Sequence, residues 1–333
     1  TNNTAKSGNA GFDVYESSYI KLYNNTAENN ERGFDTRSSS NNTLSDNVAN
    51  NNTYGLYIGT NDTLTNNTAN YNTYGVYIES FTIYSSYNNT LRNNTITKTS
   101  GQSGLFIDGT NVSEFTHDID EGNKINNLPI KYVDGTFTQC QNDTEFNLGK
   151  NYAYVGFVGC DNITVEYTET TDQILFAFVT NSTIRHSNAS FSRVGVYLYS
   201  SSYNNLTNNT ANGNSEYGFY LEDYSNYNNL TNNTADGNSD YGFYLDYSNN
   251  NTLSDNVANN NNEGFRLYSS YENSLSNNTA NGNSGSGFYL CINSEFNILT
   301  NNTANGNNNG FYVFQCYYNN TFVSNIAENN SLG

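Results

Sequence analysis

The run NNLTNNTANGNSEYGFYL at 204–221 returns as NNLTNNTADGNSDYGFYL at 228–245 and, shortened, as NILTNNTANGNNNGFYV at 297–313. A chain made of such copies cannot be read by length alone, because each unit buries its apolar face only against its neighbours. Gly11, Gly33, Gly55, Gly75 and Gly104, then Gly195, Gly218, Gly242, Gly264, Gly287 and Gly310, open the last strand of successive units, mostly 20–24 residues apart. That period belongs to a solenoid. Leucine-rich repeats share the length but need several Leu per unit and usually a helix. Here short apolar–polar alternations separated by Asn, Gly and Ser predict strands and turns, with no 3.6-residue pattern. The expectation is all-β: a right-handed parallel β-helix with three-strand coils of about 20–24 residues and an irregular insert.

The columns follow from alternation. In Gly-Phe-Tyr-Leu, Phe219 and Leu221 point inward and Tyr220 outward. Leu22, Leu44, Leu64, Leu91, Leu206, Leu230, Leu253, Leu275 and Leu299, with Phe322 last, make a second inward column, and Ala27, Ala49, Ala69, Ala211, Ala235, Ala258, Ala280, Ala304 and Ala327 a small third one. Few apolar residues per coil then suffice, which reconciles a mean hydropathy of −0.72 with a folded chain. An aromatic content of 15 % at fixed places argues against disorder. Asn47, Asn67, Asn94, Asn209, Asn233, Asn256, Asn278 and Asn302 form a corner file whose amides are expected to hydrogen-bond from coil to coil.

Residues 110–194 break the period, giving three segments: coils over 1–109, irregular coils with a loop or flap over 110–194, and coils over 195–333, read as one solenoid. The expected flap lies near 120–150, closed by Cys140–Cys160. The other pair, Cys291 and Cys316, is also about one coil apart, so two bridges are expected in place of four free thiols, and with them an oxidising, extracytoplasmic setting. Asn-X-Ser/Thr sequons add N-linked glycans as expected partners, with Asn61, Asn111, Asn162, Asn181, Asn208 and Asn232 as acceptors. The chain begins inside a repeat and has no Met, which reads as a processed product or a fragment.

The run HDIDEGNKINNLPIKYVDG, followed by YVGFVGCDNITVEY, resembles a segment of archaeal surface proteins with NosD-type β-helix repeats. The match falls on His117, Ile119, Asp120, Asn123, Ile125, Asn126, Pro129, Ile130, Tyr132, Cys160, Asn162, Ile163, Thr164 and Val165, with Asn127 and Leu128 where Gly-Lys is usual. With the flanking repeats it covers nearly the whole chain. The resemblance implies a right-handed coil and an extracellular envelope protein, such as an S-layer or sheath component of a methanogen. It implies no reaction.

Chemistry is sparse. A net charge of −19 without a basic stripe excludes nucleic acid as a partner, and no apolar run is long enough to span a membrane. Polysaccharide lyases and hydrolases on this fold need clustered carboxylates. The densest group here, Asp118, Asp120 and Glu121 beside His117 and Lys124, reads as a solvated loop, and His186 is too far along to be paired with His117. Copper delivery, which the NosD name suggests, is set aside: no Met, two His and bridged Cys leave few soft ligands. No cofactor is expected, structural Ca²⁺ being the one left open. The outward file Tyr57, Tyr77, Phe106, Tyr197, Tyr220, Tyr244, Tyr289 and Tyr312 is read as an interface, against self-stacking or a sugar platform. The sequence thus points to a non-enzymatic subunit of an envelope layer, packing against copies of itself through the Tyr faces and open coil ends. The alternative is a carbohydrate-binding or carbohydrate-cleaving β-helix using the face near 105–135.

Overall fold

A computed structural model describes residues 1–80, 85–135, 140 and 144–332. The protein is an all-β parallel solenoid of the right-handed type, with about 14 turns. Among the described residues the helical content is one short 3-10 turn, Val112–Phe115. Two compact units divide the chain: Thr1–Gln139 with Asn151–Val158, and Cys140–Lys150 with Gly159–Gly333.

In the first unit, strands Ala10–Asp13, Arg32–Asp35, Tyr54–Ile58, Tyr74–Glu79 and Ser103–Asp108 form one parallel sheet. Lys21–Tyr23, Thr43–Ser45, Thr63–Thr65, Thr90–Arg92 and Asp118–Ile119 form a second. In the third, Thr4–Lys6 through Lys124–Ile125 run parallel until Leu128–Asp134 folds back antiparallel on Lys124–Ile125. Asn126 and Asn127, both at positive φ, supply the two left-handed residues of that tight hairpin. Within the flap expected near 120–150, residues 136–139 and 141–143 lie outside the described residues.

The second unit repeats the scheme. Its long strands, from Ile174–Ala177 and Val194–Tyr199 to Asn309–Phe314, make one sheet, and nine short strands from Glu145–Asn147 to Thr321–Val323 make another. Phe219, Phe243, Phe265 and Phe288 stack face to face, 4.8 Å apart. In the Leu and Ala columns beside them, Leu206, Leu230, Leu253 and Ala211, Ala235, Ala258 have no exposed area, whereas the last members expected to point inward, Phe322 and Ala327, are exposed. The Gly before each Phe is required by this packing. A Cβ on Gly218 would sit 2.8 Å from the Ala235 methyl and 2.7 Å from the Gly242 carbonyl oxygen.

The paired Asn residues divide their work. The first of each pair (Asn66, Asn93, Asn208, Asn232, Asn277, Asn301) takes the left-handed corner, which Asn tolerates at low cost. The second is buried and carries the ladder. Asn209 donates through its backbone N (2.9 Å) and Nδ2 (3.0 Å) to Asn233 Oδ1, and also from Nδ2 to the Ile184 carbonyl (2.8 Å). The same contacts link Asn47 to Asn67, Asn67 to Asn94, Asn233 to Asn256, Asn256 to Asn278 and Asn278 to Asn302. Each rung satisfies buried backbone that no strand reaches.

A further file, two residues before each Leu, is not apparent from the repeat alone. In the first unit, Asn42 N donates to Asp62 Oδ1 (2.7 Å), Asp62 N to Asn89 Oδ1 (2.8 Å) and Asn89 N to His117 Nδ1 (3.3 Å). In the second unit the rungs are Asn204, Asn228, Asn251, Asn273, Asn297 and Asn320.

Candidate functional site

The long-strand sheet of the second unit brings Tyr, carboxylate and Arg side chains together on its outer face. Two-residue alternation breaks at the Gly, so the residue before it and the residue two after it both face outward. Tyr217, Tyr220, Tyr241 and Tyr244 therefore form two adjoining columns with centroids 5.0–5.4 Å apart. The second column, Tyr217 and Tyr241, escapes a strict two-residue alternation. An acid ends each of these strands, and Glu222 stands opposite Asp246 in register. Tyr197 donates its hydroxyl to Glu222, and Tyr244 donates to Asp246 Oδ2 at 3.0 Å. Asp246 Oδ1 is buried with no hydrogen-bond partner.

Arg266 takes the place of Tyr in the next coil. Its guanidinium lies 4.8 Å from the Tyr241 ring centre, 5.8 Å from Tyr244 and 5.1 Å from Tyr289, and 3.1 Å from Glu263 Oε2. Burial raises the carboxyls of Glu222, Asp246 and Glu263 above the ordinary range, and repulsion from neighbouring carboxylates adds to it, from Asp246 and Asp223 at Glu222 and from Asp223 at Asp246. Carboxyls that hold a proton more tightly, each against a Tyr hydroxyl or an Arg, are the groups from which acid–base chemistry on a sugar is built.

The interface file does not keep one exposure. Tyr57, Tyr77, Phe106 and Tyr197 are buried, at 1–7 % exposure. In the first unit Tyr57, Tyr77 and Phe106 pack with Tyr54 and Tyr74 into a closed aromatic cluster, which Arg37 covers at 4.9 Å from the Tyr57 ring. Tyr220, Tyr244 and Tyr289 are half-buried and Tyr312 is exposed. An outward direction therefore does not mean a free surface: rings stacked at coil spacing cover each other.

The bridge Cys140–Cys160 is present, with Cα atoms 5.4 Å apart. The expected Cys291–Cys316 bridge is not; both are free thiols, and burial pushes the Cys291 thiol up to about 11. The register gives the reason. The local coil is 23 residues, so Cys291 pairs with Phe314 and leaves Cys316 two residues on. All six sequon residues, Asn61, Asn111, Asn162, Asn181, Asn208 and Asn232, are exposed.

The acids near 118 are surface ion pairs. Asp118 and Asp120 face Arg92, and Glu121 accepts from Lys131 (2.7 Å) and the Tyr152 hydroxyl (3.1 Å). His117 is buried away from them. Its Nε2 pairs with the Glu114 carbonyl at 3.0 Å, and burial lowers it to about 3, so it is a neutral ladder rung. His186 is exposed and stacks on Tyr167 at 5.3 Å.

With this geometry in view, the family model described as "Periplasmic copper-binding protein (NosD)" matches residues 1–135 and 119–333. The chain belongs to the NosD family. A periplasmic family and a disulfide together place it outside the cytoplasm. Copper does not fit the residues present. Both His117 nitrogens are used, and no group of three or more His, Cys, Asp or Glu among the described residues is arranged to hold a metal ion.

No curated protein matches the sequence. Among solved structures, the chain is similar to the periplasmic alginate epimerase AlgG (15 % identity, 93 % of this chain and 76 % of that one, TM-score 0.47). It is also similar to the A-module of the Azotobacter vinelandii mannuronan C-5 epimerase AlgE6 (13 %, 93 % and 90 %, TM-score 0.40). A third is tailspike protein 2 of an Escherichia coli O157:H7 bacteriophage (12 %, 89 % and 34 %, TM-score 0.37). Identities this low carry the general fold and no activity. They do overturn the expectation that the protein is not an enzyme: the β-helix proteins it resembles include polysaccharide-modifying enzymes, so the fold gives no ground for excluding catalysis.

Proposed function

We propose that this NosD-family protein binds and acts on a saccharide chain outside the cytoplasm, along the tyrosine–carboxylate face of the second unit. The observation that carries this reading is the meeting of half-exposed Tyr rings with raised carboxyls on one sheet. The rings offer platforms for the apolar faces of sugars, and Glu222 and Asp246 offer acceptors and proton donors beside them. The alginate and mannuronan epimerases agree with a polysaccharide as the target but do not specify it. The envelope-lattice reading draws no support from these comparisons.

The test pairs affinity electrophoresis in a panel of neutral, acidic and amino polysaccharides with product analysis by size and NMR. Retardation or product with at least one polymer is expected, and its loss in the Tyr220→Leu/Tyr244→Leu variant. Neither retardation nor product from the whole panel, with ordered polymers of the protein seen by electron microscopy, would replace this reading with the lattice subunit.

A further inference from the structure

The corner that follows the long strands of the second unit carries another row of tyrosines. Tyr203, Tyr224, Tyr227 and Tyr247 stand there over three successive coils, each 49–61 % exposed. All four have left-handed backbone, with φ of 62, 62, 58 and 47°. A bulky side chain is disfavoured in that conformation, which Asn and Gly adopt readily. The fold does not ask for tyrosine here. One coil after Tyr227 the same position is Asn250, and then Glu272, both at φ 58°. One coil after Tyr247 it is Ser269, at φ 45°. Four disfavoured residues whose strain is not offset by burial are accounted for by a contact outside the chain.

The rings stand on fixed backbone. Tyr203 N donates to the Asn226 carbonyl at 3.1 Å, Tyr224 N to Tyr247 at 3.0 Å, Tyr227 N to Asn249 at 3.2 Å and Tyr247 N to Tyr268 at 3.1 Å. The Tyr203 and Tyr227 rings stack at 4.9 Å and within 4°, and Tyr268 meets Tyr247 edge-on at 5.8 Å. A ligand therefore has little left to order.

We infer that Tyr203, Tyr224, Tyr227 and Tyr247 form a contact strip for an uncharged saccharide chain lying along the solenoid, an inference that rests on the saccharide reading just proposed. From 192 to 295 every exposed large apolar side chain is a tyrosine. A ring that carries a hydroxyl suits a ligand with an apolar face and a hydroxyl rim, which a sugar has and a lipid tail lacks. Exposed Asn205 and Asn229 follow Tyr203 and Tyr227 by two residues and add amides. The 4.9 Å step between the stacked rings is close to the length of one sugar in an extended chain, so successive sugars meet like groups. Between 194 and 265 the chain holds eight acids and no Lys or Arg, and the flanking Arg193 and Arg266 are engaged with Glu216 and Glu263. A uronate chain would be repelled here.

The deciding experiment is calorimetric titration with β-1,4-linked hexamers of glucose, N-acetylglucosamine and mannuronate. At least one uncharged hexamer is expected to bind, and mannuronate is expected not to. Tyr203→Asn/Tyr227→Asn copies the Asn250 corner and should weaken that binding about tenfold or more, the size of two lost ring contacts. It should melt within about 2 °C of the parent, because Asn suits the left-handed backbone. Tyr224→Ser/Tyr247→Ser, which copies Ser269, should do the same. A change in binding of less than about twofold in both variants would overturn the inference while leaving saccharide binding on the tyrosine–carboxylate face intact. Tighter binding of mannuronate would overturn it too. So would a lower melting point than this in both variants, which would make the rings part of the fold. Self-association in sedimentation that both variants abolish would give the corner to a second copy of the chain instead. If none of the three hexamers and none of the polysaccharide panel binds, the proposed function falls and the inference with it.

Discussion

The two units use one strand motif to opposite ends. In the first, Tyr57, Tyr77 and Phe106 are closed over by Tyr54, Tyr74 and Arg37, and the Tyr57 hydroxyl is spent on Glu79 at 2.8 Å. In the second, Tyr197 is buried as well, but Tyr220, Tyr244 and Tyr289 at the equivalent positions stay half-buried, and Glu222 and Asp246 form no ion pair among the described residues. The repeat therefore fixes the direction of a side chain but not its depth. Depth depends on what the next coil and the flanking column supply, and one Arg or one extra ring converts an open face into a small core.

The comparison breaks first if the scaffold beneath the two faces differs. Asn67→Ala and Asn233→Ala each strip an acceptor from the preceding rung and a donor from a buried carbonyl. Each should cost about 3–5 kcal/mol, from several buried groups left unpaired, and calorimetric melting should show similar losses for both. A loss in only one would mean that the ladders are not equivalent supports.

Asp62→Asn sharpens the contrast from the first unit's side. Asp62 stands where neighbouring rungs are Asn, and burial raises its pKa from 3.8 to about 6. A raised acid stabilises the fold while protonated. Its contribution is complete below pH 3.8, falls as pH rises from 3.8 to about 6 and stays lost above that. The Asn variant should therefore be about 2 kcal/mol more stable at pH 7 and unchanged near pH 3.5. Chemical denaturation at the two pH values checks this; an unchanged or lower stability at pH 7 counts against a buried charge.

Replacing the rings tests the difference directly. Tyr57→Leu removes a buried ring and its hydrogen bond and should cost about 2 kcal/mol, with no effect on saccharide retention. Tyr244→Leu should cost about 1 kcal/mol or less and weaken retention. A reversed pattern would move the functional face to the first unit. The smallest effect is expected at the unbridged thiols. Cys316→Ser should change stability by less than about 0.5 kcal/mol, and Cys316 should react with iodoacetamide well before Cys291, as the mass of the alkylated protein will show.

Much of the architecture was legible in the sequence because coil stacking puts like residues in columns, so Leu206, Ala211 and Phe219 announce themselves by recurrence. The file of Asn204, Asn228 and Asn251 was not, since one more Asn in an Asn-rich turn carries no periodic contrast. His117 escaped notice as a rung for the opposite reason: it is rare, and read with the solvated loop beside it, yet it occupies the position two before Ile119 that Asn89 occupies before Leu91. The Cys316 register was lost because coil length varies by a residue or two. The candidate face was half legible. Its outward Tyr column follows from alternation, but the Tyr217 and Tyr241 column depends on a break in that alternation at the Gly, and the charge balance on which Arg meets which acid across coils.

The ladders have a consequence for how the chain finds its own arrangement. Identical rungs make neighbouring coils interchangeable, so a strand that docks one repeat out of place still finds an Asn to bond and a Leu to cover. Regularity alone gives a coil no address. The rungs that break the pattern supply it: Asp62 answered by the Thr36 hydroxyl at 2.7 Å, and His117 held by the Glu114 carbonyl. A misplaced coil would leave these groups buried and unanswered. The exceptions in the repeat number its coils.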